Sequence, residues 1–284
     1  MDNLTSKTAV ITGAGSGIGR QLALRSAAEG MHVVVADIEV PPMEETAALI
    51  AEAGGEKALC VQTDVTDAKS VQALADTAFG WRDGVHLLCN NAGVFVGGLM
   101  WERTIADWEW VMAVNVFGIV HAVDAFVPRM LEQDEEAHIV NTSSMGGMVS
   151  ASFSGPYFTS KFAAVGLSEC LAHDLAAVEA KIGVSVLVPS LISTNIGSST
   201  RNRQEAFANT PGHETSDSGR SIEEVLVISV AEAGLDPAVA ADKVFAGVKA
   251  GDFYIPTNDT YDTQIQMRYE DILTRQLPRV PPID

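Results

Sequence analysis

An apolar run, Thr8-Ala9-Val10-Ile11-Thr12, feeds directly into Gly13-Ala14-Gly15-Ser16-Gly17-Ile18-Gly19 and then into Arg20-Gln21-Leu22-Ala23-Leu24. Buried strand, glycine-rich turn and helix in that order commit the chain to an α/β unit with a covered strand. Glycines adopt dihedrals closed to other residues and let the backbone approach a bound group closely. Free N–H groups at the start of the helix favour an anion such as a pyrophosphate. The spacing Gly13-x3-Gly17-x-Gly19 departs from the general GxGxxG dinucleotide fingerprint, so the strand and helix around it carry the reading.

Further apolar runs bounded by turn residues predict strands near Thr8–Thr12, His32–Ala36, Ala58–Thr63, Val85–Asn90, His138–Thr142, Gly183–Val188 and Asp252–Ile255. Helical patterns between them begin near Gly17, Met43, Asp67, Thr104, Tyr157 and Pro237. This alternation predicts one α/β domain over residues 1–284, a Rossmann-type, doubly wound, seven-stranded parallel sheet with helices on both faces. It breaks over residues 195–234, where polar residues, Pro211, Gly212 and a short apolar run, Ile222–Ala233, separate the sixth and seventh strands. A connection that long, beside the carboxyl ends of the strands, is a candidate lid over a substrate; a surface excursion or subunit contact is the alternative.

Eighteen basic residues against 37 acidic give a net charge of −19, which argues against a nucleic-acid surface and against adhesion to anionic membranes. Solubility is the ordinary use of such charge. Cys60, Cys89 and Cys170 form no CxxC pair, and Cys60 and Cys89 fall in apolar strand-like runs as small buried hydrophobes. The first residues show no basic stretch followed by an apolar one, and no uninterrupted apolar run is long enough to cross a bilayer. A cytoplasmic, reducing location is the resulting expectation. The six histidines are scattered without metal-ligand spacing, so no metal is expected, and His32, His86 and His138 read as strand-edge residues. Neither a Gly-Lys-Ser/Thr ending nor a GxSxG elbow is present.

The strand ends carry polar groups suited to a nucleotide. Asp37 closes the second strand at the distance where a carboxylate reaches the adenosine ribose hydroxyls, and a turn residue is its alternative. An anion there accepts from a free 2′-hydroxyl and repels a 2′-phosphate. No Arg or Lys follows closely and Ser16 stands in the glycine turn, so NAD is favoured over NADP. Asp64-Val65 closes the third strand, where the carboxylate either meets the adenine amino group or caps the next helix. Asn90-Asn91-Ala92-Gly93 closes the fourth, small residues allowing close approach. Tyr157 and Lys161 stand one helical turn apart, so an ammonium shares a face with a phenol and favours its ionised form.

From Leu4 to Pro256 these pieces resemble the classical short-chain dehydrogenase/reductase family: Thr12-Gly13-x3-Gly17-x-Gly19, Asp64-Val65, Asn90-Asn91-Ala92-Gly93, Asn115, Ser144 and Tyr157-x3-Lys161. The resemblance implies hydride transfer between a substrate carbon and a nicotinamide, with Tyr157 as acid toward a carbonyl or base toward an alcohol. A free phenol titrates near ~10, too high for an efficient base at neutral pH, and Lys161 with the positive nicotinamide is expected to lower it. Lys161 would also bind the nicotinamide ribose. The serine-to-tyrosine spacing selects Ser144 to hold the substrate oxygen and leaves Ser143 structural. Asn115 matches an asparagine that distorts its helix and holds water linking Lys161 to solvent; an amide satisfying local backbone is the alternative. Pro189, Ile192 and Thr194 follow the sixth strand, with Thr194 on the carboxamide, although Ser190 stands where the family usually has glycine. With Gly13, Ser16, Gly17, Ile18 and Gly19 at the pyrophosphate, and Asp37, Asp64, Val65, Asn91, Ala92 and Gly93 beyond, this completes the expected NAD site.

The expected substrate walls, Val94–Val96, Met145–Met148, Phe153–Pro156, Leu191-Ile192 and part of 195–234, are mostly apolar. They favour a small hydrophobic secondary alcohol or ketone, aryl, alicyclic or steroid-like, although Arg201 and Arg203 can reach in. Trp101, Trp108 and Trp110 read as packing residues rather than substrate platforms. A thioester ketoreductase would call for NADPH and a basic docking patch, against Asp37 and the acidic surface. A non-catalytic NAD-binding sensor or scaffold would not need Ser144, Tyr157 and Lys161 together. Apolar content in the helices around Trp108–Met130 and Tyr157–Ala177 predicts a homo-oligomer, a dimer or tetramer.

Overall fold

The computed structural model describes every residue except Asp2, Asp83 and residues 280–284. Seven strands, β1 (Thr8–Thr12), β2 (His32–Asp37), β3 (Leu59–Gln62), β4 (Leu87–Asn90), β5 (Ala137–Thr142), β6 (Ile182–Val188) and β7 (Tyr254–Pro256), form one sheet in the order β3-β2-β1-β4-β5-β6-β7. Every pairing is parallel. The chain winds outward in both directions from the β1–β4 pair, so a crevice opens where the connections after β1 and β4 diverge.

Helices cover both faces. Alternation along β1 sends Ala9 and Ile11 to one side and Val10 to the other. On the first side, α1 (Gly17–Ala28), α2 (Val40–Glu52) and α8 (Pro237–Ala250) bury Leu22, Ile50, Val244 and Phe245 against β1 and β2. On the second, α3 (Ala68–Trp81), α5 (Gly118–Gln133) and α6 (Gly155–Ala177) bury Leu74, Phe126, Met130 and Leu175. Each fully buried side chain of this size contributes roughly 1.5–3 kcal/mol relative to exposure.

Several elements differ from the sequence pattern. Helix α2 begins at Val40 rather than Met43, because Pro41 and Pro42 occupy the first turn, where a missing N–H costs nothing. The helix expected from Thr104 is three pieces: α4 (Ile105–Met112), a π-helical segment (Ala113–Phe117) and α5. By length and composition Ile105–Gln133 could span a bilayer, contrary to expectation, but 56% of its most apolar window is buried inside the fold. His86 and His138 are buried rather than edge residues; His86 lies against Glu135 at 3.1 Å and His138 against Ser185 at 2.7 Å.

The 195–234 stretch holds two short 3-10 turns, Ile196–Asn202 and Glu205–Phe207, and then α7 (Asp217–Ala233). It is tied to the start of α4. Buried Asp107 accepts from Arg203 at 2.6 Å and Asn209 at 3.3 Å, and Arg103 donates to Ser216. Beyond β7 the chain forms α9 (Asp262–Thr274), which the apolar pattern does not announce.

Candidate active site

The turn after β1 shows why its glycines are there. Gly17 has φ +52°, and a Cβ on it would lie 2.9 Å from the Thr194 methyl carbon. A Cβ on Gly19 would lie 2.1 Å from the Gly13 carbonyl oxygen, so a side chain would break the turn. Ser16 is the N-cap of α1 and makes no side-chain cap, which leaves the amides of Gly17, Ile18 and Gly19 facing outward from the helix end.

Asp37 sits beside that turn. Its carboxylate accepts from Gly15 N–H at 2.7 Å and Glu39 N–H at 2.9 Å. Burial pushes its carboxyl above the usual range, with those two backbone donors acting in opposition. Asp64 does not cap a helix: Asp67 caps α3, while Asp64 Oδ1 accepts from Thr66 N and Oγ1 and from Gln204 Nε2. The Asn91 and Ala92 amides both donate to Thr12 Oγ1, at 3.0 and 3.2 Å, which holds the end of β4 against β1. Gly93 follows, 3.4 Å from Lys161 Nζ measured from where its Cβ would stand. Val65 lies against Gly118, and its carbonyl meets His121 Nδ1 at 2.9 Å.

Tyr157 and Lys161 lie on the first turns of α6, and the Lys161 Nζ is 5.6 Å from the Tyr157 ring centroid. Lys161 Nζ donates to the Thr142 carbonyl at 3.0 Å and is buried. Burial brings the lysine down to about 8. In the protein alone burial raises the Tyr157 phenol above its usual value, with Ser144 acting in opposition. The ammonium is meanwhile turned onto the Thr142 carbonyl.

The two serines have different partners. Ser143 is buried and its hydroxyl is spent on the Lys161 carbonyl at 2.8 Å. Ser144 accepts from Gly146 N–H at 3.0 Å, which leaves its own proton to donate toward Tyr157. Asn115 lies in the π-helical segment, so its helix is distorted there. Its side chain accepts from Val94 N–H at 2.8 Å and donates to Val94 O and Ser160 Oγ, at 3.0 and 2.9 Å, clamping the chain after Gly93 to α6.

These residues surround one cavity of about 770 Å³. Gly13, Ser16, Gly17, Ile18, Asp37, Asp64, Val65, Asn91, Ala92, Gly93, Ser144, Tyr157, Lys161, Pro189, Ile192 and Thr194 all line it; Gly19 and Asn115 stand behind its wall. Ser190, in the place of glycine, is accommodated by Thr257: its amide and hydroxyl both lie 2.9 Å from Thr257 Oγ1. Apolar walls come from Phe95, Met145, Val149, Ile192, Ile222 and Leu226, and the Phe95 ring stands 5.2 Å from that of Tyr157. Arg201 lines the cavity, while Arg203 is held at Asp107. Trp110 is buried with its N–H on Gln204 at 2.9 Å, whereas Trp101 is exposed. Sequence reasoning missed Tyr261 and Gln264 in the wall. The only signal was the spacing of Tyr261 and Ile265, too short a stripe to stand out.

The geometry agrees with comparison to known proteins. The family model described as short chain dehydrogenase matches residues 7–205, and the chain belongs to the short-chain dehydrogenase/reductase family and is an oxidoreductase. It is similar to a short-chain dehydrogenase/reductase from Burkholderia phymatum solved in complex with NAD, with 39% identity, 99% of each chain covered and a TM-score of 0.96. It is also similar to the 1-deoxy-11-beta-hydroxypentalenate dehydrogenase of Streptomyces avermitilis, 34% identical over 95% of this chain and 91% of the relative. A CLA biosynthesis dehydrogenase/reductase of Lactiplantibacillus plantarum is 31% identical over 100% of this chain and 99% of its own length.

Proposed function

We propose that this protein is an NAD-dependent dehydrogenase that interconverts a hydrophobic, bulky secondary alcohol and its ketone. The observation that carries the reading is the meeting of Ser144, Tyr157 and Lys161 in one mostly apolar cavity that ends at the glycine turn. The residues fit the cofactor: the turn lines the cavity through Gly13, Ser16, Gly17 and Ile18 at the uncapped start of α1, and Asp37 offers a carboxylate beside it. The Burkholderia phymatum neighbour binds NAD, and the Streptomyces avermitilis relative is named for a hydroxylated substrate, which supports both halves of the proposal.

In this reading the amides of Gly13, Ser16, Gly17, Ile18 and Gly19 hold the pyrophosphate and Asp37 takes the ribose hydroxyls. Asp64 and Val65 flank the adenine, Asn91, Ala92 and Gly93 line the middle, and Pro189, Ile192 and Thr194 hold the carboxamide. NAD supplies the hydride acceptor when bound, and its reduced form the donor. Ser144 donates its free proton to the substrate oxygen, fixing it beside Tyr157. Tyr157 Oη takes the alcohol proton in oxidation and returns it in reduction. Lys161 holds the nicotinamide ribose, and its ammonium favours the ionised phenol once turned from Thr142. Asn115 positions Val94 and α6, and orders water leading from Lys161 to solvent. Residues 195–234 act as a lid on the single domain.

Exposed Phe117 and Val120 on the α4–α5 face support a homo-oligomer, a dimer or tetramer, to be read by sedimentation. Free Cys60, Cys89 and Cys170 suit a reducing, cytoplasmic setting. The test of function is a panel of hydrophobic secondary alcohols assayed with NAD and NADP in parallel by reduced-nicotinamide absorbance. Turnover of aryl or alicyclic members with NAD supports the reading; no turnover of any member with either cofactor overturns it.

A further inference from the structure

A second cavity, about 280 Å³, lies beside the first and shares Val149, Ser150 and Gln264 with it as walls. Its other side is the stripe of α9 that repeats with the helical period: Gln264, Met267, Arg268, Asp271 and Ile272. Gln264 is buried at 8% exposure and stands between the two spaces. In the orientation that satisfies its hydrogen bonds, its amide nitrogen donates to the Thr260 and Tyr261 carbonyls at 3.1 and 3.2 Å, which fixes it at the junction.

The charges around this second space run against those of the molecule. The chain carries −19, yet the cavity is lined by two guanidiniums, Arg268 and Arg279, and one carboxylate, Asp271. That carboxylate is already engaged: Arg279 donates to it from Nε at 2.7 Å and from its backbone N–H at 3.0 Å. Arg268 instead stands over the Phe162 ring, its Cζ 4.7 Å from the centroid, and among the described residues no hydrogen bond occupies its guanidinium donors, which suit a planar acceptor. Phe162 and Met267 supply apolar surface leading to it.

Resting on the dehydrogenase reading above, we propose that the substrate is an elongated hydrophobic alcohol bearing a carboxylate. Its carbinol lies at Tyr157, its apolar body passes Gln264, and its carboxylate pairs with Arg268 in the second cavity. Arg268 is then a specificity-determining residue one turn along α9 from the junction, about 6 Å away along the helix axis. A guanidinium suits the role because it binds a carboxylate through two parallel hydrogen bonds.

The experiment compares secondary alcohols of increasing chain length that end in a carboxylate with their methyl esters, in the unmodified enzyme, Arg268→Gln and Arg268→Lys. Binding of the same acids to the cofactor-loaded protein is followed by calorimetry. The expected result is a kcat/KM for the best acid about tenfold or more above its ester, equivalent to one charge-assisted pair. Arg268→Gln should lower the acid far more than its ester, so that the difference between them closes, and Arg268→Lys should restore part of it. Equal turnover of acids and esters by the unmodified enzyme would overturn the carboxylate assignment while leaving the dehydrogenase intact. If no alcohol is turned over, the dehydrogenase reading falls, and calorimetry decides the cavity alone: acid binding weakened by Arg268→Gln supports it, and unchanged or absent binding overturns it.

Discussion

The side-chain amide of Gln204 donates to Asp64 Oδ1 at 2.9 Å, joining the stretch after β6 to the turn after β3 across the mouth of the cavity. Glu39, just past β2, is held in the same way: Arg201 reaches it at 2.9 Å and Asn202 at 2.8 Å. The 195–234 segment is therefore tied to both turns at the adenosine end of the proposed cofactor site. If the segment is the proposed lid, exit of a bound dinucleotide requires these contacts to open.

The first prediction follows from those contacts. Partly exposed pairs contribute only ~0–1 kcal/mol each, so the three contacts together hold the segment by one to two such increments. Replacing Arg201 and Gln204 together with Ala should speed release of the reduced dinucleotide by about tenfold, the rate equivalent of ~1.4 kcal/mol. Stopped-flow nucleotide fluorescence reads this directly. An unchanged release rate would mean that the segment does not gate the cofactor.

The proposed function makes Asp37 the residue that decides cofactor choice. It offers an anion beside the glycine turn and is braced by Gly15 and Glu39 N–H groups, so it cannot swing away from an incoming 2′-phosphate. Asp37→Ala combined with Ile38→Arg should move the kcat/KM preference from NAD toward NADP. An unmodified enzyme that already favours NADP would contradict the assignment.

The extent to which this site could be read in advance depended on how local each feature was. The glycine turn and the Tyr157–Lys161 pair were legible because their partners lie within a few residues and their periods are those of the elements that carry them. Ser143 and Ser144 were told apart only by the family resemblance, and the bond from Ser143 to the Lys161 carbonyl joins residues too far apart in sequence for a local pattern to show. Gln264 was not legible: the inner stripe of α9 mixes Gln264, Ile265, Arg268 and Asp271, so no apolar period marks it. The Gln204–Asp64 contact joins residues 140 apart, which no local pattern encodes. The burial that raises the phenol was likewise not legible, because spacing reveals a neighbouring charge but not the desolvation around it.

A buried histidine sets an acid limit on stability. His138 is on β5, paired with Gly183 of β6, its Nε2 on Ser185 Oγ, and a Cβ on Gly183 would stand only 2.5 Å from its ring. Burial, aided by the N-terminal ammonium, brings it down to about 4. An unfolded histidine titrates near ~6.5, so the unfolded chain binds the extra proton between these values. Stability from this group is full above that upper value and is lost as pH falls through about 4, at a total cost on the order of 3 kcal/mol. His138→Gln, which keeps a partner for Ser185 but does not titrate, should flatten the fall in denaturant midpoint over that window. His86, also lowered by burial, remains in both proteins and leaves a residual slope. Parallel pH profiles for the two proteins would refute the assignment.

The sharpest prediction concerns Ser143, Ser144, Tyr157 and Lys161, whose surroundings assign them different losses. Tyr157→Phe removes the transferable proton but keeps the ring against Phe95, so NAD affinity should survive while turnover nearly vanishes. Lys161→Ala should damage both, because the ammonium is proposed to serve the ribose and the phenol together. Ser144→Ala removes a donor whose proton is free to reach the substrate oxygen, and kcat should fall by roughly the 10²–10³ of an oxyanion donor. Ser143→Ala removes instead a buried hydrogen bond to the Lys161 carbonyl, so it should cost about 1 kcal/mol of stability with a much smaller effect on kcat. The decisive measurement is kcat, NAD affinity and unfolding midpoint for the four variants on one active alcohol. Substantial turnover by Tyr157→Phe, or equal kcat losses in the two serine variants, would require a different proton path.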